Sequence, residues 1–182
     1  MKYTRLLFLL VLLTLPLSAS AHKRSNSTPA WTVTVDPLTT ALGFVHVQIE
    51  RAIGRHFSIY LGPSLRLFNG IISEDHEDFI GLGVEGCVRY YFLGTAPFKW
   101  WAGIRGVAAH LSSSVGGKET SAFGFYVSAL AGYSWLVTSW LTLSAGLGIQ
   151  YLSYQLPHPI SGKMMGPGGI LPAAHTNIGV AF

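Results

Sequence analysis

A single cysteine, Cys87, stands among the 182 residues, so no disulfide can form within the chain. A lone thiol on a strand behaves as a small buried apolar group and is inert. Charge is scarce too: only 11% of the residues are Asp, Glu, Lys or Arg, and the acids are outnumbered, eight to twelve. The high isoelectric point therefore reflects few acids rather than a basic patch. Setting aside Lys2 and Arg5 of the first segment lowers the formal charge from +4 to +2, too little to argue for nucleic acid. His46, His56, His76, His158 and His175 fall on different segments without metal-ligand spacing, so no metal and no cofactor is expected. Long apolar runs are missing beyond Leu6–Leu17. That run is about a dozen residues, and a helix needs ~20 to span a bilayer, which excludes a helical membrane protein.

What is present points elsewhere. Hydrophobic residues make up 49% of the chain, with 21 glycines, five Trp, eight Tyr and ten Phe. A soluble domain this poor in charge would have too little polar surface to cover itself. A barrel in a membrane removes the conflict, because every second residue of each strand faces lipid. The N-terminus agrees: Lys2 and Arg5 form a positive region, Leu6–Leu17 an apolar core, and Ala19-Ser20-Ala21 a small-x-small cleavage site. Residues 1–21 are expected to be a signal peptide, 22–30 a short periplasmic tail, and 31–182 the barrel.

From Trp31 onward the chain breaks into runs of period-two hydrophobicity separated by turn residues. Strands are predicted at 31–36, 40–51, 56–68, 79–92, 99–112, 122–137, 140–154 and 169–182. Short turns fall near 53, 95 and 138, and longer polar loops at 69–78, 113–120 and 155–168. The alternation puts short turns in the periplasm and long loops outside. It also places the last strand, with Thr176, Ile178, Val180 and Phe182 on one face, so that it finishes on the periplasmic side. The expected fold is all-β: an eight-stranded antiparallel up-and-down transmembrane barrel, monomeric, in a bacterial outer membrane. A soluble β-sandwich is the competing reading, but its outward faces should carry polar residues. Here Leu141, Leu143, Ala145, Leu147 and Ile149 make one long apolar face.

The opposite faces should line the interior: Phe44, His46, Gln48 and Glu50; Ser58, Tyr60, Ser64 and Arg66; Glu85, Cys87 and Arg89; and Arg105. An Arg or Lys facing lipid near the midplane costs roughly 2–4 kcal/mol, so Glu50, Arg66, Glu85, Arg89 and Arg105 are expected inside as an ion-pair network. Eight strands leave room for side chains and little else, which favours a plugged lumen over a pore. Inward glycines would make space for arginine and tyrosine. Tyr90, Tyr91, Phe92, Phe98, Trp100, Trp101, Trp135 and Trp140 read as interfacial girdles. The acidic run Glu74–Asp78 reads as a solvated loop, with a divalent cation at the cell surface as the sharper alternative.

One chemical candidate stands out. His110 and Ser112 share a strand face, which sets an imidazole beside a hydroxyl, and Glu119 follows in the next loop as a third member. The His-x-Ser element resembles that of the outer-membrane lipid A 3-O-deacylases, eight-stranded barrels with a Ser–His–Glu site facing the membrane. The resemblance implies Ser112 as nucleophile and His110 as general base. Glu119 departs from that family's pattern, whose acid comes farther along the chain. Separately, Val35-Asp36-Pro37-Leu38, Gly43-Phe44-Val45, Glu50-Arg51-Ala52 and Phe57-Ser58-Ile59 are similar to the opening of small bacterial outer-membrane β-barrel proteins of uncharacterised families. That likeness implies fold and location and carries no activity.

The function expected from the residues is non-enzymatic: an envelope protein whose surface loops serve structure, adhesion or binding. A lipid A-modifying hydrolase using Ser112, His110 and Glu119 is the alternative, and a small-solute channel the third. The expected partners are outer-membrane lipids, lipopolysaccharide, and the barrel-assembly machinery through the strand ending in Phe182.

Overall fold

The computed structural model describes residues 28–67 and 79–182. The expected signal segment 1–21, the tail up to residue 27 and the acidic loop 69–78 lie outside the described residues. Eight antiparallel strands close into a barrel: β1 (Trp31–Val35), β2 (Phe44–Ile53), β3 (Phe57–Arg66), β4 (Ile80–Leu93), β5 (Lys99–Val115), β6 (Lys118–Leu136), β7 (Leu141–Ser153) and β10 (Gly168–Ala181). Each pairs with its neighbour in sequence, and β10 closes on β1 with Val33 opposite Val180. A five-residue helix, α1 (Pro37–Ala41), joins β1 to β2, and a two-stranded ribbon, β8 (Leu156–Pro157) with β9 (Met164–Met165), lies between β7 and β10. Among the described residues no helix is long and apolar enough to cross a membrane.

Successive side chains alternate across the wall, and the alternation is inverted relative to a water-soluble protein. Leu61, Val84, Ile104, Leu147, Ile149 and Ile170 stand exposed on the outer surface, Leu147 at 71%. Glu50, Arg66, Glu85, Arg89, Arg105, His46 and His175 are buried inside.

Three local readings are corrected. Residues 37–41, split above between turn and strand, are helical. Asp36 caps α1 by accepting from the Thr39 backbone N–H at 3.1 Å, and Pro37 opens it. The loop expected at 113–120 is mostly strand, because β5 and β6 run on to a two-residue turn, Gly116-Gly117. Both glycines have positive φ, 60° and 77°, the conformation a tight hairpin turn of matching twist demands. Tyr91, Trp101 and Phe98 do not join an outer girdle but are buried, while Tyr90, Phe92, Trp100, Trp135 and Trp140 are exposed. Adjacent residues on a strand face opposite ways, so Tyr90-Tyr91 and Trp100-Trp101 split between the two surfaces.

The strands are unequal. β5 and β6 have 17 and 19 residues, β1 only five. The wall is therefore tall on one side, and on the other it is completed by α1, which packs against β2 and β10.

Candidate functional site

The interior holds an ionic layer between two apolar ones. At the end shared by Trp31 and Phe182, Tyr91, Ala96, Trp101, Leu130 and Ala173 pack together. At the other end Phe79, Leu111, Tyr126, Leu152, Tyr154 and Met165 do the same, with the β8–β9 ribbon contributing Leu156 and Met165. Glu50, Glu85, Arg89 and Arg105, which lie between them, are all buried.

Two linked carboxylate–guanidinium pairs fill that layer. Arg89 Nη1 donates to Glu50 Oε2 at 2.9 Å. Glu50 Oε1 accepts further from Ser58 Oγ and from the Tyr91 hydroxyl, the latter at 2.9 Å. The second pair is Arg105 and Glu85: Nε and Nη2 reach Oε2 at 2.9 and 2.6 Å, and His46 Nδ1 lies 3.3 Å from the same oxygen. His175 connects the layer to the helix cap. Its Nε2 accepts from Arg89 Nη2 at 2.8 Å and Asn177 Nδ2 at 3.0 Å, which leaves the proton on Nδ1, 3.2 Å from Asp36 Oδ2. Asp36 also accepts from the Thr176 hydroxyl at 2.8 Å, so one carboxylate caps α1 and holds β10. Three arginines also face aromatic rings. Arg89 lies 4.3 Å from the Trp101 ring centroid and 4.9 Å from Tyr60, Arg105 5.4 Å from Tyr126, and Arg66 3.9 Å from Phe79.

Of the five charged residues expected in the lumen, the structure joins Glu50 with Arg89 and Glu85 with Arg105. Arg66 faces the Phe44 and Phe79 rings. Asp36, His46 and His175 complete the layer. The sequence reading passed over Asp36 and His175 as site residues; the signal for His175 was its shared parity with Asn177 on the last strand.

Glycines shape the space around these groups. A Cβ on Gly146 would lie 2.7 Å from Trp101 Cη2, and one on Gly103 3.1 Å from Arg89 Cγ. Trp101 and Arg89 are thus seated in notches that a larger residue would close.

His110, Ser112 and Glu119 lie elsewhere. All three are exposed on the outer face near the tip of the β5–β6 hairpin, where Ser112 opposes Ser121 and Ser114 opposes Glu119. Together with Ile80, Ser114 and Thr120 they line a surface depression of about 630 Å³. Among the described residues no hydrogen bond joins the three. Glu119 is strand, not loop, and shares the outer face with His110 and Ser112 across the β5–β6 ladder. Among the described residues no group of three His, Cys, Asp or Glu side chains is placed to hold a metal ion.

Compared with protein-family models, with curated proteins and with solved structures, the chain matches none.

Proposed function

We propose that the chain is a transmembrane barrel of a bacterial outer membrane, a non-conducting envelope protein that acts through its surfaces rather than through a pore. One observation carries this reading: the apolar side chains are outside and the ion pairs inside. Water around the barrel would wet Leu61, Val84, Ile104, Leu147 and Ile170 for no gain, whereas acyl chains solvate them well. A soluble monomer rarely exposes a contiguous apolar patch larger than a few hundred Å², and here the apolar face runs along successive strands. The buried ionic layer and the two apolar clusters that flank it argue against a channel.

The test is physical. The purified chain lacking residues 1–21 should need detergent or lipid to stay monodisperse, migrate faster on gels before boiling than after, and fractionate with outer membranes. A chain that is folded and monodisperse in plain buffer overturns the reading.

A second reading has one specific observation in its favour: His110, Ser112 and Glu119 share a single outer depression. In it, Ser112 would attack an ester of a lipid in the outer leaflet with His110 as base. Lipid A mass spectra of cells expressing the protein decide between the two. An acyl-chain loss present with the parent and absent with Ser112→Ala supports the hydrolase, and identical spectra remove it.

A further inference from the structure

Scarcity of acids gives the outer surface its sign. Among the described acidic side chains Asp36, Glu50 and Glu85 are buried and Glu119 is exposed, whereas Arg51, Arg55, Lys99, Lys118 and Lys163 are all exposed. Arg51, Arg55 and Lys99 stand at the end of the barrel that holds Trp31 and Phe182. Arg51 is near the end of β2, Arg55 lies in the turn to β3, and Lys99 opens β5. The turns before β3 and β5 touch, because the Ala96 N–H donates to the Arg55 carbonyl at 2.9 Å. Lys99 folds over the second of them: a Cβ on Gly94 would lie 2.7 Å from its Cδ. The three cations therefore share one arc of the rim.

None of the three has a carboxylate partner among the described residues. The Phe182 carboxylate is separated from Arg51 by Trp31, which pairs with Arg51 on one side and exchanges backbone bonds of 3.0 Å with Phe182 on the other. Arg51 does face Trp31, 4.9 Å from the ring centroid, but a ring uses the face of a guanidinium and leaves its in-plane N–H donors unused. Arg51 also points outward, on the same strand face as Ile49 and Ile53 and opposite Ile59, all of them exposed. An outward guanidinium is costly near the midplane of a membrane and nearly free at its interface, so the level of Arg51 is the headgroup level. Trp31, Phe57, Tyr90 and Trp100, exposed around it, are side chains suited to that depth.

We propose that this arc is a docking surface for an anionic glycerophospholipid of the periplasmic leaflet, its phosphodiester held by Arg51, Arg55 and Lys99 and its acyl chains lying along Ile49, Ile59 and Leu61. Charge complementarity selects this occupant. Arginine offers paired donors matched to phosphate oxygens, and lysine adds a point charge. A dissolved polyanion would use the charges and leave the adjoining apolar wall bare, and a second copy of the chain would set like charges together. The proposal rests on the membrane reading, which supplies both the leaflet and the level.

The experiment is native mass spectrometry of the purified barrel released from detergent micelles. The probes are dioleoyl phosphatidylglycerol, dioleoyl phosphatidylcholine and glycerophosphoglycerol, which is the anionic headgroup without acyl chains. Phosphatidylglycerol should be retained at least fivefold more strongly than either of the others. A cation near an anionic lipid surface contributes roughly fivefold, so Arg51→Gln with Arg55→Gln should lower that retention at least tenfold. Arg55→Gln with Lys99→Gln should do the same and keeps the contact of Arg51 with Trp31, so either folded pair suffices. Lys118→Gln with Lys163→Gln removes equal charge from the opposite end and should leave retention within about twofold. Equal retention of phosphatidylcholine, or equal losses from the two ends, overturns the site. Retention of glycerophosphoglycerol as strong as that of the lipid overturns the lipid as occupant. A barrel embedded in micelles that shows no preference for phosphatidylglycerol refutes this proposal alone, whereas a chain monodisperse in plain buffer refutes the membrane reading and this proposal with it.

Discussion

Replacing Arg89 by methionine should unfold the barrel more readily than any other single change in its interior. Arg89 is 1% exposed. It holds Glu50 at 2.9 Å, donates to His175 at 2.8 Å, and faces Trp101 and Tyr60. Methionine fills much of the same volume but leaves the buried Glu50 charge without its guanidinium partner. Removing one partner of a buried pair costs about 3–5 kcal/mol. Glu50 keeps its bonds from Ser58 and Tyr91, which moves the figure toward the lower end, while the lost ring contacts, up to about 2 kcal/mol when desolvated, move it back. The expected loss is about 4 kcal/mol, a large share of the roughly 5–15 kcal/mol that stabilises a typical domain.

Glu50→Gln in the same background separates charge from packing. It removes the stranded carboxylate, so the double variant should recover about 2 kcal/mol relative to simple addition of the two single losses. The assay is urea unfolding of the barrel in lipid vesicles, read by tryptophan emission and by loss of the fast-migrating folded band. Independent sites add within roughly 0.3–0.5 kcal/mol. Single losses below about 1 kcal/mol that simply add would mean the pair is screened by water, and the burial of Arg89 and Glu50 would contribute nothing to their coupling.

Gly146→Val should destabilise by about 1–3 kcal/mol through overpacking against Trp101, a rigid ring with no room to retreat; a blue or red shift in tryptophan emission at unchanged stability would contradict the seating of Trp101. Leu147→Arg tests the surroundings of the barrel. At this highly exposed outer position the change should cost about 2–4 kcal/mol in vesicles if Leu147 lies near the membrane midplane, against within about ±0.5 kcal/mol for an ordinary water-facing site. The wild-type protein should leave a planar bilayer silent under applied voltage, and reproducible conductance steps would show that the ionic layer is permeable. Gly117→Val should slow or weaken hairpin closure at the β5–β6 tip, since a β-branched residue disfavours its φ of 77°, with less than full loss of the folded band because the ladder below remains intact.

Strand number, order and facing were legible in the sequence because the side-chain period of two is set by backbone geometry alone. Once Glu50, Arg89 and Arg105 are assigned inward, parity assigns everything else on those strands. The same rule, applied strictly, separates Trp100 from Trp101 and Tyr90 from Tyr91; grouping them as one girdle ignored it. The helix at Pro37–Ala41 was also written in the chain, as an Asp immediately before a Pro, an N-cap followed by the one helical position where a missing N–H costs nothing. Reading Asp-Pro only as a strand stop concealed it. The turn at Gly116-Gly117 was hidden differently: Ser112–Ser114 and Thr120–Ser121 have loop composition, and pairing overrode it.

Partnership across the barrel is a separate kind of information. Nothing in the spacing of Asp36 and His175, 139 positions apart, says that they meet; closure of β1 on β10 brings them to 3.2 Å. The length of β1 decides the consequence. With five residues it can close only the lower part of the seam, so the chain must satisfy the rest with something other than a strand. α1 is what it uses, anchored by Asp36 through Thr39, Thr176 and His175 at once. The same carboxylate that caps the helix thus ties it to the ionic layer. Shortening one strand creates the need for this anchor, which is why Asp36→Ala should loosen α1. The expected readout is faster proteolysis at α1 with the barrel band retained, and unchanged cleavage there would show that the helix is held by its apolar contacts alone.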